Sequence, residues 1–193
     1  MDQKESDENQ KNETDRQDRP RIYIASLADY NAGWQHGKWI DADQQIQDIC
    51  REIDELLKES GQPVAEEWAI HDYQNFGDLT LSEFEDLEKV AEAARLIREY
   101  GKVFAGMAEH VGGLDSLDEA KRYMEDGYRG AWDSLAHYAE QLVEDCYGDT
   151  LAAIPNFIRY HIDYAGIGRD MELGGDVFTV ECEGQIHVFE SNI

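Results

Sequence analysis

Residues 21–40 read RIYIASLADYNAGWQHGKWI, and they open the part of the chain in which apolar residues recur. Arg21 to Ala25 is rich in β-branched and aromatic residues, which predicts a strand. Asp29 to Gly33 has the composition of a turn. Trp34 to Ile40 then predicts a second strand that returns beside the first. The stretch therefore predicts a small sheet at the start of the folded chain.

The next segment, Asp41 to Ser60, predicts an amphipathic helix, because its apolar residues recur three and four positions apart. Its outer face carries four carboxylates at i, i+4, i+7 and i+11, namely Asp48, Glu52, Glu55 and Glu59. At 1.5 Å rise per residue they recur about every 5–6 Å, the same order as phosphates along a DNA strand. An ordinary solvated helix face is the alternative interpretation, and the simpler one for a single stripe.

Helix and strand patterns alternate along the rest of the chain. A strand is predicted at Trp68 to Tyr73, and a β-hairpin around Glu183 to Gln185. Ser82 and Glu85 form a capping box before a helix that ends at Tyr100. Further helices are predicted over residues 102–110, 116–119, 134–147 and 156–164. These elements predict an α+β fold.

The same patterns predict about three small modules after a polar start. Residues 1–19 contain one apolar residue, Met1, and predict a disordered acidic tail. Residues 20–77 form an N-terminal module of a small sheet and a helix. Residues 78–122 form a central helical module, and residues 123–193 a C-terminal module of helices and a hairpin.

The charge of the chain is its strongest signal. It has 43 acidic and 17 basic side chains, for a net charge of −26. Residues 1–19 hold seven acidic and four basic side chains, so residues 20–193 keep 36 and 13, a net −23. Direct DNA binding is disfavoured because DNA is itself a polyanion. Basic proteins are the expected partners, and charge alone also fits an acidic scaffold, a salt-adapted protein or a chaperone for a basic nucleic-acid-binding protein.

Familiar enzyme signatures are missing from the sequence. The six histidines show no metal-binding spacing, and there is no P-loop and no G-x-S-x-G elbow. We therefore expect no catalytic residue, no metal and no cofactor. His71-Asp72 and His161-x-Asp163 leave open an uncharacterised hydrolase, against histidines that only support structure. Without an apolar run near 18 residues or a secretory signal, a cytoplasmic location without membrane contact is expected.

Three stretches together resemble the ArdA antirestriction proteins of conjugative plasmids, transposons and phages. The first is Ile22 to Gly33 followed by Gly37 to Ile40, and the second is Trp68 to Tyr73. The third is Ile154-Pro155, then Tyr160 to Ala165 and Gly168 to Asp176. They follow the family's order from about residue 21 to the end. The third stretch is the most specific and overlaps the family's antirestriction motif.

This resemblance implies an elongated homodimer of small α+β modules that imitates bent B-form DNA. Such a protein occupies the DNA-binding groove of type I restriction–modification enzymes, on the methyltransferase core, and blocks restriction and often modification. The charge is compatible with that length, because 36 carboxylates match roughly 60 Å of duplex at one charge per ~1.7 Å. A compact chain of this size is shorter, so a long mimic needs an extended shape, a dimer or both.

Candidate residues follow from position and from the resemblance. The helical carboxylates expected to stand in for phosphates are Asp48, Glu52, Glu55, Glu59, Glu85, Glu88, Glu92, Glu140, Glu144 and Asp145. The residues of the antirestriction motif are Asp163, Tyr164, Arg169, Asp170, Glu172 and Asp176. We expect this second set to support structure or the dimer interface more than to contact the partner. An Arg169–carboxylate pair is expected to hold a loop or that interface.

Overall fold

The computed structural model describes residues 18–193, so the predicted tail lies outside it except for Asp18 and Arg19. The chain divides into two compact units, with the boundary between Leu117 and Asp118. Each unit holds helices and a three-stranded antiparallel sheet, which confirms the α+β class. The expected boundary at 77/78 falls inside the first unit and that at 122/123 inside the second. The division into three modules stays a prediction.

The first unit is built on a sheet with strand order β2-β1-β3. Its elements in chain order are β1 (Arg21–Ser26), α1 (Leu27–Asn31), β2 (Gly37–Asp41), α2 (Ile46–Lys58), β3 (Trp68–Gln74), α3 (Leu87–Tyr100), α4 (Lys102–Val111) and a 3-10 turn (Gly113–Ser116). Helix α5 (Leu117–Arg122) spans the boundary between the units.

The side chains of β1 alternate between the buried face and the outer face of the sheet. Ile22 and Ile24 are fully buried, whereas Tyr23 between them lies half-buried on the opposite face. Helix α2 buries Ile49 and Ile53 in the same unit, as its apolar periodicity predicts. The predicted strands at 21–25 and 68–73 are confirmed.

Three expectations for the first unit are wrong in detail. The stretch predicted as a turn, 29–33, is largely the end of α1, whose Ser26 Oγ accepts the Asp29 N–H. Helix α2 begins at Ile46 and not at Asp41, which is the last residue of β2. The capping-box bond from Ser82 N to Glu85 Oε1 forms at 3.0 Å, but α3 starts later, behind an Asp86 cap.

The second unit has a sheet of order β4-β6-β5 covered by helices. A π-helical turn (Tyr123–Gly127) precedes β4 (Tyr128–Trp132), α6 (Leu135–Ala153), α7 (Asn156–Arg159), α8 (Tyr164–Gly174), β5 (Val177–Cys182) and β6 (Gln185–Glu190). Its core is formed by Tyr138, Val177 and Val188. The predicted hairpin is confirmed, and Glu183 and Gly184 both have positive φ, as a tight two-residue hairpin turn requires.

The helices of this unit differ from the sequence prediction. Ser134 caps α6 as expected, but the helix passes Gly148 and continues to Ala153 across a non-helical Tyr147. The predicted helix 156–164 is only the short α7, and the glycine-rich segment after it is helix α8. Strand β4 was not predicted. No helix within residues 18–193 is both long and apolar enough to cross a membrane.

Candidate partner-binding carboxylates

The predicted stripe on α2 divides into a neutralised half and an open half. Asp48 and Glu52 each contact a basic side chain at 2.6 Å between nitrogen and oxygen. Glu55 and Glu59, further along the same face, are exposed. Within residues 18–193, Glu55 and Glu59 therefore present their charges to solvent without an ion pair, although both lie close enough to Lys38 to act on its charge.

Lys38 of β2 is the countercharge of this stripe. Its hydrogen bond to Glu52 raises the pKa of Lys38, and the charges of Glu55 and Glu59 add to the effect. Partial burial raises the pKa of Glu52, but hydrogen bonds from Lys38 and Gln44 outweigh it and leave that pKa below its usual value. Both groups of the pair are therefore charged at neutral pH.

The α3 candidates divide in the same way. Glu85 is half-buried and accepts hydrogen bonds from both the backbone and the hydroxyl of Ser82. Glu88 and Glu92 are exposed, and the nearest basic group to Glu92 is Arg95 Nη2 at 3.8 Å. Glu88 and Glu92 thus form a second exposed pair, one helical turn apart, in which Glu92 has Arg95 as a partner and Glu88 has no ion pair within residues 18–193.

Helix α6 supplies the candidates of the second unit, and all three are exposed. Glu144 Oε1 accepts from Arg159 Nη2 at 2.9 Å, which ties α7 to α6. Asp145 Oδ1 accepts from Gln141 Nε2 at 2.9 Å along the same helix. Glu140 is the member of this set whose carboxylate has no such contact within residues 18–193.

Two of the six motif residues make structural hydrogen bonds on or beside α8. Asp163 is its N-cap and accepts the Gly166 N–H at 2.9 Å. Glu172 Oε1 accepts from Thr179 Oγ1 at 3.0 Å, linking the helix to β5. Tyr164 is half-buried, whereas Asp176 is exposed after the helix end.

The expected Arg169–carboxylate pair stays a prediction. Arg169 and Asp170 are exposed neighbours on α8, and consecutive helical side chains point in different directions. No ion pair of Arg169 is found within residues 18–193. Both side chains remain proposed contributors to an interface with another chain.

Gly168 is a motif position whose role the sequence did not reveal. It is buried, and a Cβ built on it would lie 2.8 Å from the Leu135 carbonyl oxygen and 3.0 Å from Leu135 Cγ. Helix α8 therefore approaches the start of α6 so closely that only a glycine fits without movement. The sequence signal for this close packing is that Gly168 lies inside a segment for which Asp163 can serve as the helix cap.

The histidine pairs that left a hydrolase open are both part of structural contacts. Asp72 Oδ1 accepts the Tyr73 N–H at 2.8 Å, and His71 lies 3.8 Å from Glu83. His161 is exposed, and Asp163 serves as the cap of α8. Among residues 18–193, no group of three His, Cys, Asp or Glu side chains is placed to hold a metal ion.

Carboxylates outside the predicted helical faces also reach solvent, and a search for helical stripes passes over them. Exposed examples are Glu66, Glu67, Asp78, Asp118, Asp126, Asp133 and Asp149. Asp29 is the opposite case, because it is buried and hydrogen-bonds Ser60 Oγ at 2.6 Å. The hydroxyls of Ser60 and Ser26 lower the pKa of Asp29, so it is a buried structural charge.

The fold and these side chains define an acidic α+β protein that displays carboxylates on its helices. A family model described as antirestriction protein (ArdA) matches residues 22–184. The chain therefore belongs to the ArdA antirestriction family, as the three sequence stretches indicated. No curated protein matches the chain. The family assigns it an antirestriction role, with restriction enzymes as its partners and no named catalytic activity.

Proposed function

We propose that this chain acts in the cytoplasm by imitating B-form DNA in the DNA-binding groove of type I restriction–modification enzymes. The observation that carries the proposal is the presence of two exposed carboxylate pairs, Glu55 with Glu59 and Glu88 with Glu92. Within residues 18–193, Glu92 alone of these four has an ion pair, with Arg95 at 3.8 Å. Each pair spans one helical turn, about 6 Å. Glu140 on α6 and the exposed carboxylates outside the predicted helical faces, such as Glu66, Asp78 and Asp133, are further exposed acidic groups of the same kind.

The excess charge supports this choice of partner. Residues 20–193 carry a net −23, which repels duplex DNA and attracts the basic groove that normally holds it. Association should be fast at low salt, and affinity should fall as salt screens the charges. Occupation of the shared methyltransferase core would block both restriction and modification.

Competition with duplex DNA tests the proposal. Purified full-length protein is added to a type I methyltransferase core bound to a fluorescent duplex that contains its recognition site. We expect the duplex to be released, with a midpoint that moves to higher protein concentration as salt is raised. A folded sample that leaves the duplex bound at low salt would overturn the proposal and favour an acidic scaffold or chaperone.

We also propose that the second unit forms the homodimer interface. It exposes several large apolar side chains between residues 147 and 173, including Phe157 at 72% and Leu173 at 79%. Exposed apolar side chains mark interaction sites in soluble proteins where they form a contiguous patch. A self-complementary patch on one unit is what a two-fold dimer uses, and Arg169 and Asp170 of the same unit could pair across it.

Charge placed on these side chains should separate the dimer. We expect the double variant Phe157→Asp and Leu173→Asp to run as a monomer in analytical ultracentrifugation at concentrations where the parent chain is dimeric. The control is Phe84→Asp, because Phe84 is 68% exposed in the first unit. A dimer that survives the double change, or a parent chain that is monomeric, would contradict this assignment.

A further inference from the structure

A cavity of about 310 Å³ lies on the outer face of the first unit's sheet. Its walls are mainly aromatic, with Tyr23, Tyr30, Trp34 and Trp39 around it. The sheet register explains this grouping, because Tyr23 of β1 pairs directly with Trp39 of β2. Their ring centroids are 5.4 Å apart.

A β-bulge brings a carboxylate into the same row. Ile24 pairs with Ile70 and Tyr23 with Asp72, so His71 is the extra residue between them. Without the bulge, Asp72 would alternate onto the buried face. Asp72 is the one formally charged side chain among the described residues that line the cavity.

Small residues and a fixed loop keep the cavity open. A Cβ on Gly37 would lie 2.5 Å from the Tyr23 hydroxyl, so the glycine is what lets that ring lie across β2. The backbone N–H of Trp34 donates to the Asp29 carbonyl at 2.9 Å. His36 Nε2 donates to the Leu56 carbonyl at 2.8 Å and anchors the loop to α2. Trp34 is nevertheless 68% exposed, which leaves its ring available to a ligand.

We propose that this cavity receives an arginine side chain of a protein partner. A planar guanidinium stacks on aromatic rings and pairs with a carboxylate, which a lysine ammonium does less well. The chain itself provides a precedent on one of these rings, because Arg21 Cζ lies 5.2 Å from the centre of the Trp39 ring. Asp72 Oδ2 accepts no hydrogen bond from residues 18–193 and is free to bind the cation.

An arginine fits better than a nucleobase in this position. Aromatic walls also stack bases, but a nucleotide brings a phosphate toward Asp72 and toward a chain of strongly negative charge. That the arginine belongs to a restriction enzyme rests on the proposed function. The preference of the cavity for a guanidinium does not, and it can be tested on the purified protein alone.

The test follows the indole N–H signals of Trp34 and Trp39 by NMR in the full-length protein at fixed ionic strength. The probes are N-acetyl-arginine methylamide, its lysine analogue, the neutral citrulline analogue and a single-stranded oligo-dT. We expect saturable shifts with the arginine probe, weaker ones with lysine and little change with citrulline or oligo-dT. Equal response to arginine and citrulline, or tighter binding of oligo-dT, would overturn the proposal.

Two matched pairs of variants assign the effect to the cavity. Asp72→Asn should weaken binding of the arginine probe about three- to fivefold, the size of an exposed cation–π or ion-pair contact. Asp78→Asn removes the same charge outside the cavity and should leave it unchanged. Trp34→Leu should weaken binding, whereas Phe84→Leu should not. Equal effects of the two variants within either pair would contradict the assignment of arginine binding to this cavity. If the protein binds the arginine probe but does not release duplex DNA from the methyltransferase core, only the proposal that the arginine belongs to a restriction enzyme is overturned.

Discussion

Replacing Glu55, Glu59, Glu88 and Glu92 together by glutamine is expected to weaken binding to a type I methyltransferase core roughly thirtyfold. Each exposed charge pair contributes about 0.2–1 kcal/mol, so four amount to about 2 kcal/mol, and each 1.4 kcal/mol is a tenfold change. The slope of log affinity against log salt should flatten as well, because fewer charges are neutralised on binding.

Position must be separated from total charge in this experiment. The matched control replaces Asp2, Glu5, Asp7 and Glu8 by their amides, which changes the net charge by the same amount in a segment outside the family match. We expect this control to bind within about threefold of the parent chain. If both quadruple variants weaken binding equally, bulk charge and not arrangement determines affinity, and DNA imitation by these helices is wrong.

The countercharged carboxylates give a finer version of the same comparison. Glu52 is held by Lys38, so it presents less free charge than Glu55 one turn away. Sequence spacing predicts that all four stripe residues share one helix face. Spacing also indicates the Asp48–Arg51 pair, which is three positions apart on one helix. It does not indicate the Glu52–Lys38 pair, because Lys38 reaches α2 from a neighbouring strand through tertiary packing.

Other parts of the fold were predictable for a local reason. Strands β1 and β3 and the C-terminal hairpin carry β-branched and aromatic residues with clear turn signals, and these act over a few positions. Strand β4 lacks such a pattern in its sequence. Its backbone is also irregular, because Gly130 has a φ of 100° and the pairing with β6 shifts between Tyr128 and Ala131. Its pairing depends on residues far along the chain, which a local pattern does not report.

Helix α8 was hidden by its own glycines. Gly166, Gly168 and Gly174 suggest a loop when read as intrinsic propensity, because glycine costs about 1 kcal/mol relative to alanine inside a helix. The Asp163 cap and the contact of Gly168 with Leu135 favour the helix instead. A glycine that seems to weaken the element is the residue that lets it pack.

Gly168→Ala is therefore expected to destabilise the second unit, although alanine is the better helix former. The added methyl group would meet the Leu135 carbonyl at 2.8 Å, and a backbone atom cannot rotate away as a side chain end can. Overpacking of this kind costs about 1–3 kcal/mol. For a unit of this size, about 2 kcal/mol lowers the melting temperature by roughly 10 °C.

Gly174→Ala is the matched control on the same helix. A Cβ there meets its nearest described neighbour, Asp176 Oδ2, at 3.8 Å, which is ordinary contact. The free energy of unfolding of the Gly174→Ala variant should equal that of the parent chain or exceed it by a few tenths of a kcal/mol. Thermal unfolding, with hydrogen exchange to locate the loss in residues 118–193, distinguishes the two variants. If Gly168→Ala is as stable as Gly174→Ala, α8 does not rest on α6 at Gly168, and the glycine must be explained by an interface with another chain.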